Sequence, residues 1–407
     1  MAKRFAPVFA AILVAASVQG AVVHVPADQP TIQDGIDAAS QGDTVLVAPG
    51  TYSGEGNVNL DFGGVDRVLL SEAGPDSTVI DSEGSGRGFY FHSNETAATA
   101  VVGFTVQGGS AENGGAVYCS DSNPRFKNCT ITANTASDGG GICCISSSPT
   151  FDGCMIAGNT ASDGGGLYCS DSHPILVNCT ISGNSADHGG GLFCTDYSDP
   201  TLVKCTISDN SATDGGGVLC IFAASPKLTN CTISGNTASG GGGLSCFPLS
   251  DARLTSCKIT NNNASRGGGL SCSSSSPSLT NCTISGNTAY DGGGIHYTEA
   301  SPILIGCIVW GNTPDAIYGR LYEADVTYSD IEGGWEGAGN IDADPIFRSL
   351  GRHDYLLGPL SPCIDAGNPV IEDRISDWHQ RWPDWYPNGP RSDMGTYGGP
   401  GNRDWMP

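Results

Sequence analysis

Apolar and polar residues alternate in this chain over runs of only three or four positions, and Gly, Asn, Asp, Ser or Pro breaks each run. Leu167-Tyr168-Cys169 sets Leu and Cys on one face, the spacing of two that an extended strand requires. A second run surrounds Pro174 and Leu176, and a third is Cys179-Thr180-Ile181. Between Leu176 and Cys179 the alternation slips by one residue, which predicts a corner. No helical period fits segments punctuated this densely.

The three runs recur as a block. Aligned on the cysteine of the phrase N-C-T-I-S-G-N, the positions are Cys129, Cys154, Cys179, Cys205, Cys231, Cys257, Cys282 and Cys307, at intervals of 25, 25, 26, 26, 26, 25 and 25 residues. Two residues after each comes an aliphatic side chain, from Ile131 to Val309, and five after each an asparagine, from Asn134 to Asn312. A second phrase, G-G-G-L-Y-C, keeps the same period with Cys119, Cys144, Cys169, Cys194, Cys220, Cys246 and Cys272. Three strands and three turns per unit predict an all-β fold in which each unit is one coil of a parallel β-helix, paired with the next coil about 4.8 Å away. Like then stacks on like. Inward Ile, Leu and Cys form core ladders, the asparagines an amide ladder inside a turn, and glycines the tight bends.

Composition agrees. The 59 glycines are about double the usual share, and they cluster as GGG at the repeat period. Acids outnumber bases 42 to 18, a formal net charge of −24 that argues against nucleic acid and anionic membrane surfaces. Lys3 and Arg4 precede an apolar stretch from Phe5 to Val18, and Val18 and Gly20 suit the cleavage positions of an export signal. The apolar stretch is shorter than the ~20 residues a membrane span needs. The expectation is therefore an exported chain, extracellular or at the cell surface, with no transmembrane segment after cleavage and monomeric.

The G-G-G-[ILV] and I-S-G-N-[TS]-A phrases resemble the repeats of chlamydial polymorphic membrane proteins and, more broadly, of pectin-lyase-like right-handed parallel β-helix proteins. The opening Pro30-Thr31-Ile32-Gln33-Asp34-Gly35-Ile36-Asp37-Ala38-Ala39 is similar to the helical N-terminal cap of that family. Asp342-Ala343-Asp344-Pro345-Ile346-Phe347, Ser361-Pro362-Cys363-Ile364-Asp365-Ala366-Gly367 and Asp393-Met394-Gly395-Thr396-Tyr397-Gly398 resemble its C-terminal segments. The resemblance implies a right-handed solenoid with a helical N-terminal cap and an irregular C-terminal one. The expected division is residues 1–20 as export signal, 21–110 as N-terminal cap and irregular first coils, 111–315 as regular coils, and 316–407 as last coils and C-terminal cap.

Every unit with a cysteine in the G-G-G-L-Y-C position has another ten or eleven residues later. Export makes oxidation credible, so one disulfide across each coil is expected: Cys119/Cys129, Cys144/Cys154, Cys169/Cys179, Cys194/Cys205, Cys220/Cys231, Cys246/Cys257 and Cys272/Cys282. Stacked reduced thiols are the alternative. Tyr297 takes the next first position and leaves Cys307 alone, while Cys143 and Cys363 complete the seventeen.

No catalytic constellation stands out. The outward position of the first strand holds Tyr118, Cys143, Tyr168, Phe193, Leu219, Ser245, Ser271 and His296, without an acid pair. The phrases that mark polygalacturonases and pectate lyases in the resembling family are missing, and Asp187-His188-Gly189 reads as an ordinary turn. The residue before GGG runs Asp138, Asp163, His188, Asp214, Gly240, Arg266, Asp291. Stacked carboxylates repel unless a cation lies between them, so calcium between Asp138 and Asp163 is the one metal or cofactor the sequence points to. Asp121, Asp171 and Asp196 form a further acidic series, and all six tryptophans lie late, from Trp310 to Trp405. The expected function is a structural or binding protein that presents a rigid acidic face for adhesion to glycans, matrix or surface proteins. The alternatives are a polysaccharide lyase or glycoside hydrolase, and a calcium-dependent assembly unit.

Overall fold

The computed structural model describes residues 20–350, 353–371 and 391–398. The export-signal residues 1–19 and Trp378, Trp382, Trp385 and Trp405 lie outside the described residues.

Each of the three predicted runs becomes a strand, and each pairs in parallel with its counterpart one coil away. The first-strand sheet has ten strands, from Phe89–Phe91 to Ile317–Arg320; the second-strand sheet has thirteen, from Val22–Val25 to Asp325–Thr327; the third-strand sheet has twelve, from Gly50–Ser53 to Asp330–Ile331. Register keeps equivalent positions opposite one another, as with Leu167↔Leu192 and Cys169↔Cys194, or Ile156↔Ile181 and Ile181↔Ile207. The corner where the alternation slips is Asn178, whose φ of 53° carries the chain from Ile175–Val177 to Thr180–Ser182. The inward aliphatic residues are sealed: Ile131, Ile181, Ile233 and Ile284 are each 0% exposed.

The asparagine ladder is complete. The Asn159 amide donates to Asn184 Oδ1 at 3.0 Å and to the Ile131 carbonyl at 3.0 Å, and the pattern repeats coil by coil from Asn134 to Asn312. This satisfies turn groups buried away from water, each of which would otherwise cost ~1–3 kcal/mol. It also explains one glycine. A Cβ on Gly166 would lie 2.6 Å from the Gly191 carbonyl oxygen and 3.1 Å from the Asn184 amide nitrogen.

A fourth, smaller sheet was not foreseen. Ser110–Asn113, Thr135–Asp138 and Thr160–Asp163 pair in parallel, and the column continues as single bridges, Asp163↔His188, His188↔Asp214, Asp214↔Gly240, Gly240↔Arg266 and Arg266↔Asp291. The acidic column therefore stands on extended backbone.

The disulfide expectation does not hold in the structure: all seventeen cysteines are free, buried thiols. The cross-core pairs from Cys119/Cys129 to Cys272/Cys282 are replaced by two axial ladders. In the first, the thiols of Cys119, Cys144, Cys169, Cys194, Cys220 and Cys246 hydrogen-bond from coil to coil. In the second, each thiol turns to carbonyls at its own corner, as Cys179 Sγ does to Val177 at 3.3 Å and to Phe151 at 3.5 Å. Cysteine here is a small buried hydrophobe with a weak donor. Burial pushes the Cys119, Cys169, Cys220 and Cys282 thiols well above their ordinary value, so they stay protonated. Tyr297 interrupts the first ladder and fills the core with its ring, its hydroxyl accepting from the Ala324 amide at 3.2 Å.

The predicted opening helix is Ile32–Ala38, with Thr31 at its N-cap accepting from the Asp34 amide. Its Ile32 and Ile36 join the main apolar cluster beside Val25 and Val45. At the other end, Phe347–Leu350 and His353–Leu357 form an antiparallel pair. The described C-terminal residues fold back along the outside of the last third strands. The Thr396 amide donates to Thr283 Oγ1 at 3.0 Å, Asn281 Nδ2 donates to the Asp393 carbonyl at 3.0 Å, and Leu357, Cys363 and Met394 pack on Ile308. They cover a flank of the late coils, while Trp335 packs against the end of the main core, and residues 372–390 and 399–407 of the expected C-terminal cap lie outside the described residues.

Candidate functional site

The outward positions of the first strands are in register: Tyr90, Tyr118, Cys143, Tyr168, Phe193, Leu219, Ser245, Ser271, His296, Tyr318. An outward position on a solenoid ought to meet water, yet Cys143, Phe193, Leu219, Ser245 and His296 are all buried. The cause is the first glycine of each GGG. Gly189, at a φ of 64°, brings the acidic column down onto the strand, so that a Cβ there would lie 2.7 Å from Phe193 Cβ. Gly215 over Leu219 and Gly241 over Ser245 repeat the arrangement at 2.6 and 2.7 Å. The column is thus one wall, and the first-strand row is the floor of a furrow along the solenoid.

The floor changes character along its length. Its beginning is aromatic: Tyr90 and Tyr118 stack at 5.5 Å, and the Arg87 guanidinium lies 5.0 and 5.1 Å from their ring centres. Tyr168 and Phe193 meet edge to face at 5.5 Å. Its end is small and polar, and there it deepens into a cavity of about 460 Å³ lined by Asp214, Ser239, Gly240, Phe247, Ser265, Arg266, Ser271, His296 and Thr298 among others. Small residues make the space: Ser271 on the floor, and Gly240 in the wall between Asp214 and Arg266.

The turn after the first strand is the opposite rim. In three successive coils it exposes a large apolar side chain: Tyr197 is 72% exposed, Phe222 64% and Leu249 73%. All three have left-handed backbone, with φ of 62°, 51° and 68°. That conformation costs a non-glycine residue about 1 kcal/mol, and exposed apolar surface adds nothing to folding. The left-handed backbone belongs to the turn itself, which has it also at Asp121, Asp171, Ser274 and Glu299; the exposed apolar side chains are what the core does not use.

Asp138 and Asp163, the expected calcium ligands, are register partners, as the stacking required. Burial, then the charges of Asp163 and Glu112, raises the Asp138 carboxyl above its ordinary value. The next residue up the column answers Asp163 directly, because His188 Nδ1 lies 2.8 Å from Asp163 Oδ1. Among the described residues no group of three or more His, Cys, Asp or Glu is placed to hold a metal ion. His188 therefore belongs to the wall. Asp214 is the only acid among the cavity's lining residues. His296 and Arg266, which the sequence placed in separate rows, meet in that cavity.

The model of the right-handed β-helix region matches residues 87–247 and 216–332. The chain belongs to the right-handed β-helix family. The narrower chlamydial resemblance is not part of what that match shows. Among curated proteins no sequence matches. In outline the solenoid is similar to a pectate lyase (14% identity, 89% of each chain, TM-score 0.44) and to the A-module of a mannuronan C-5 epimerase of Azotobacter vinelandii (16%, 78% of this chain and 98% of that one, 0.42). A Siphovirus 9NA tailspike receptor-binding domain is more distant (11%, 81% and 79%, 0.28). At these scores the activities of those proteins remain their own. No described helix is long and apolar enough to cross a membrane.

Proposed function

We propose that this β-helix is a binding protein that holds a glycan chain along the first-strand furrow, as an exported or surface-exposed contact element. The carrying observation is the rim of Tyr197, Phe222 and Leu249, which keeps large apolar side chains in water in three successive coils, beside the Phe193, Leu219 and Ser245 stretch of the floor. Flat apolar surfaces next to polar walls suit sugar rings, which have apolar faces and hydroxyl edges. A stiff ladder core holds that surface straight, so little ordering is lost on contact.

Binding is favoured over hydrolysis because glycoside cleavage ordinarily takes two facing carboxylates, and Asp214 is the one acid among the residues that line the cavity. A polysaccharide array screened with the protein and with the double variant Tyr197→Ala, Phe222→Ala tests the reading. The wild type should retain at least one polysaccharide, and the variant should bind it roughly tenfold more weakly while folding normally. Equal binding by both, or release of reducing ends or unsaturated products by the wild type, would overturn it.

A further inference from the structure

We infer that the early third-strand flank, around Asn128, Thr130, Gly153 and Met155, is a peptide-docking site. Its occupant is an extended segment of a partner chain, with an apolar residue, a glycine and a hydroxyl residue in succession. The site lies away from the first-strand furrow and goes beyond the glycan-binding reading.

The late coils show how such a segment is held, because the chain docks one of its own there. Asn281 Nδ2 donates to the Asp393 carbonyl at 3.0 Å and to Ser392 Oγ at 3.2 Å. Thr283 Oγ1 accepts from the Thr396 amide at 3.0 Å, and the Gly306 carbonyl accepts from the Gly395 amide at 2.7 Å. Met394 packs on Ile308. Gly395 has to be glycine: its φ is 87°, and a Cβ there would lie 2.7 Å from Ile308 Cδ1. Four host positions therefore hold the segment, an asparagine corner and a threonine in one coil, a glycine corner and an apolar side chain in the next.

The repeat sets down the same four once more. Asn128-Cys129-Thr130 followed by Gly153-Cys154-Met155 has the spacing of Asn281-Cys282-Thr283 followed by Gly306-Cys307-Ile308. The backbone agrees, with φ of 50° at both Asn128 and Asn281, and of 62° and 65° at Gly153 and Gly306. Thr130 is the register partner of Met155, as Thr283 is of Ile308. In both places the asparagine side chain rests where a larger corner residue would be: a Cβ on Gly153 would lie 2.7 Å from Asn128 Oδ1, and one on Gly306 3.1 Å from Asn281 Nδ2. The coils between break the set. Asn178 and Asn230 are followed one coil on by Lys204 and Ser256, with Thr206 and Lys258 in the apolar position.

The two sites differ in their cover. At the late one Asn281, Thr283 and Ile308 are sealed, whereas at the early one Asn128 is exposed and Met155 is 43% exposed. The chain's own segment is held in the late coils, so a partner chain has to supply the early one. Thr130 and Asn128 would meet its main chain, which gives affinity, and the glycine between them gives selectivity. The flexible thioether of Met155 suits an apolar side chain that need not match Met394.

A labelled peptide of residues 391–398, Arg-Ser-Asp-Met-Gly-Thr-Tyr-Gly, titrated into the full chain by fluorescence anisotropy tests this. It should bind saturably with one site per chain, and the same peptide with Ala in place of Gly should bind at least about tenfold more weakly. The double variant Asn128→Ala, Met155→Ser should also lose about tenfold, with wild-type circular dichroism because both positions are exposed. Thr283→Val, at the late site, should change peptide affinity less than about twofold. No saturable binding, or equal binding of the two peptides, would overturn the inference. So would loss of binding in Thr283→Val with retention in the double variant, which would mean exchange with the chain's own segment. A concentration-dependent dimer of the wild type that the double variant abolishes would overturn it too, because the occupant would then be a second copy.

Discussion

The early and late coils of this solenoid share one interior and have two exteriors. From Cys129 to Cys307 the same Ile row, asparagine ladder and corner thiols repeat with little change. On the first-strand face the row passes from Tyr118, Tyr168 and Phe193 to Ser245, Ser271 and His296, and on the third-strand face only the late coils are covered by the C-terminal segment. Inward positions are constrained from both sides, because every side chain there touches its own equivalents one coil up and one coil down. Outward positions are free of that constraint, so the furrow can be apolar in one half and polar in the other on an unchanged frame.

That contrast can be broken most forcefully in the core. Ile181→Ala in an early coil and Ile284→Ala in a late one should each cost about 3–4 kcal/mol in urea unfolding, the usual penalty for emptying a sealed site. A difference above ~1 kcal/mol between them would mean that the interior is not uniform.

The next effect belongs to the late end alone. Asp330 is 0% exposed, accepts from the Ala343 amide at 3.1 Å and meets the Cys363 thiol at 3.1 Å. Burial outweighs these bonds and raises its carboxyl to about 6. A folded-state value above the unfolded one means that the protonated form is the stabilised one. Its contribution is complete below about pH 4 and is lost as pH rises through about 6, a change of roughly 2–3 kcal/mol. Asp330→Asn should flatten that part of the stability profile. A wild-type profile that rises over the same interval would contradict the burial argument.

On the furrow, the rim double variant should lose polysaccharide about tenfold, whereas Ser271→Ala should change polymer affinity less than about twofold. Reversed effects would put the principal contact in the late half. The smallest effect is expected at the acidic wall. Asp138→Asn removes a like-charge neighbour of Asp163 and should stabilise the protein by about 0.3–0.5 kcal/mol at low salt, less as salt is added.

The coil was legible because its signals are steric and repeated. Asn178 at the slipped register, Gly166 under the Asn184 amide and Ile181 in its row could each take only one role. The fourth sheet was not legible: in Thr160-Ala161-Ser162-Asp163 only Thr160 favours a strand, and the segment is extended because the coils beside it hold it so. The cysteines misled for a related reason. Ten residues separate Cys169 from Cys179 along the chain, but each thiol's nearest equivalent is a full coil away in sequence. The candidate site was half visible. His296 and Arg266 were both noted, one in the outward row and one in the acidic column, but only the fold of Gly267 and its equivalents brings wall and floor together. The Nδ1 of His296, buried without a hydrogen-bond partner, has no sequence signal at all.

Hydrogen–deuterium exchange with and without the polysaccharide retained on the array tests most directly whether ligand lies along the first-strand furrow. Protection should appear on the wall and rim segments 186–199 and 211–225, and be absent from the outer third-strand residues 206–208 of the same coil. Protection confined to the third-strand side, or spread evenly around the coil, would contradict the account.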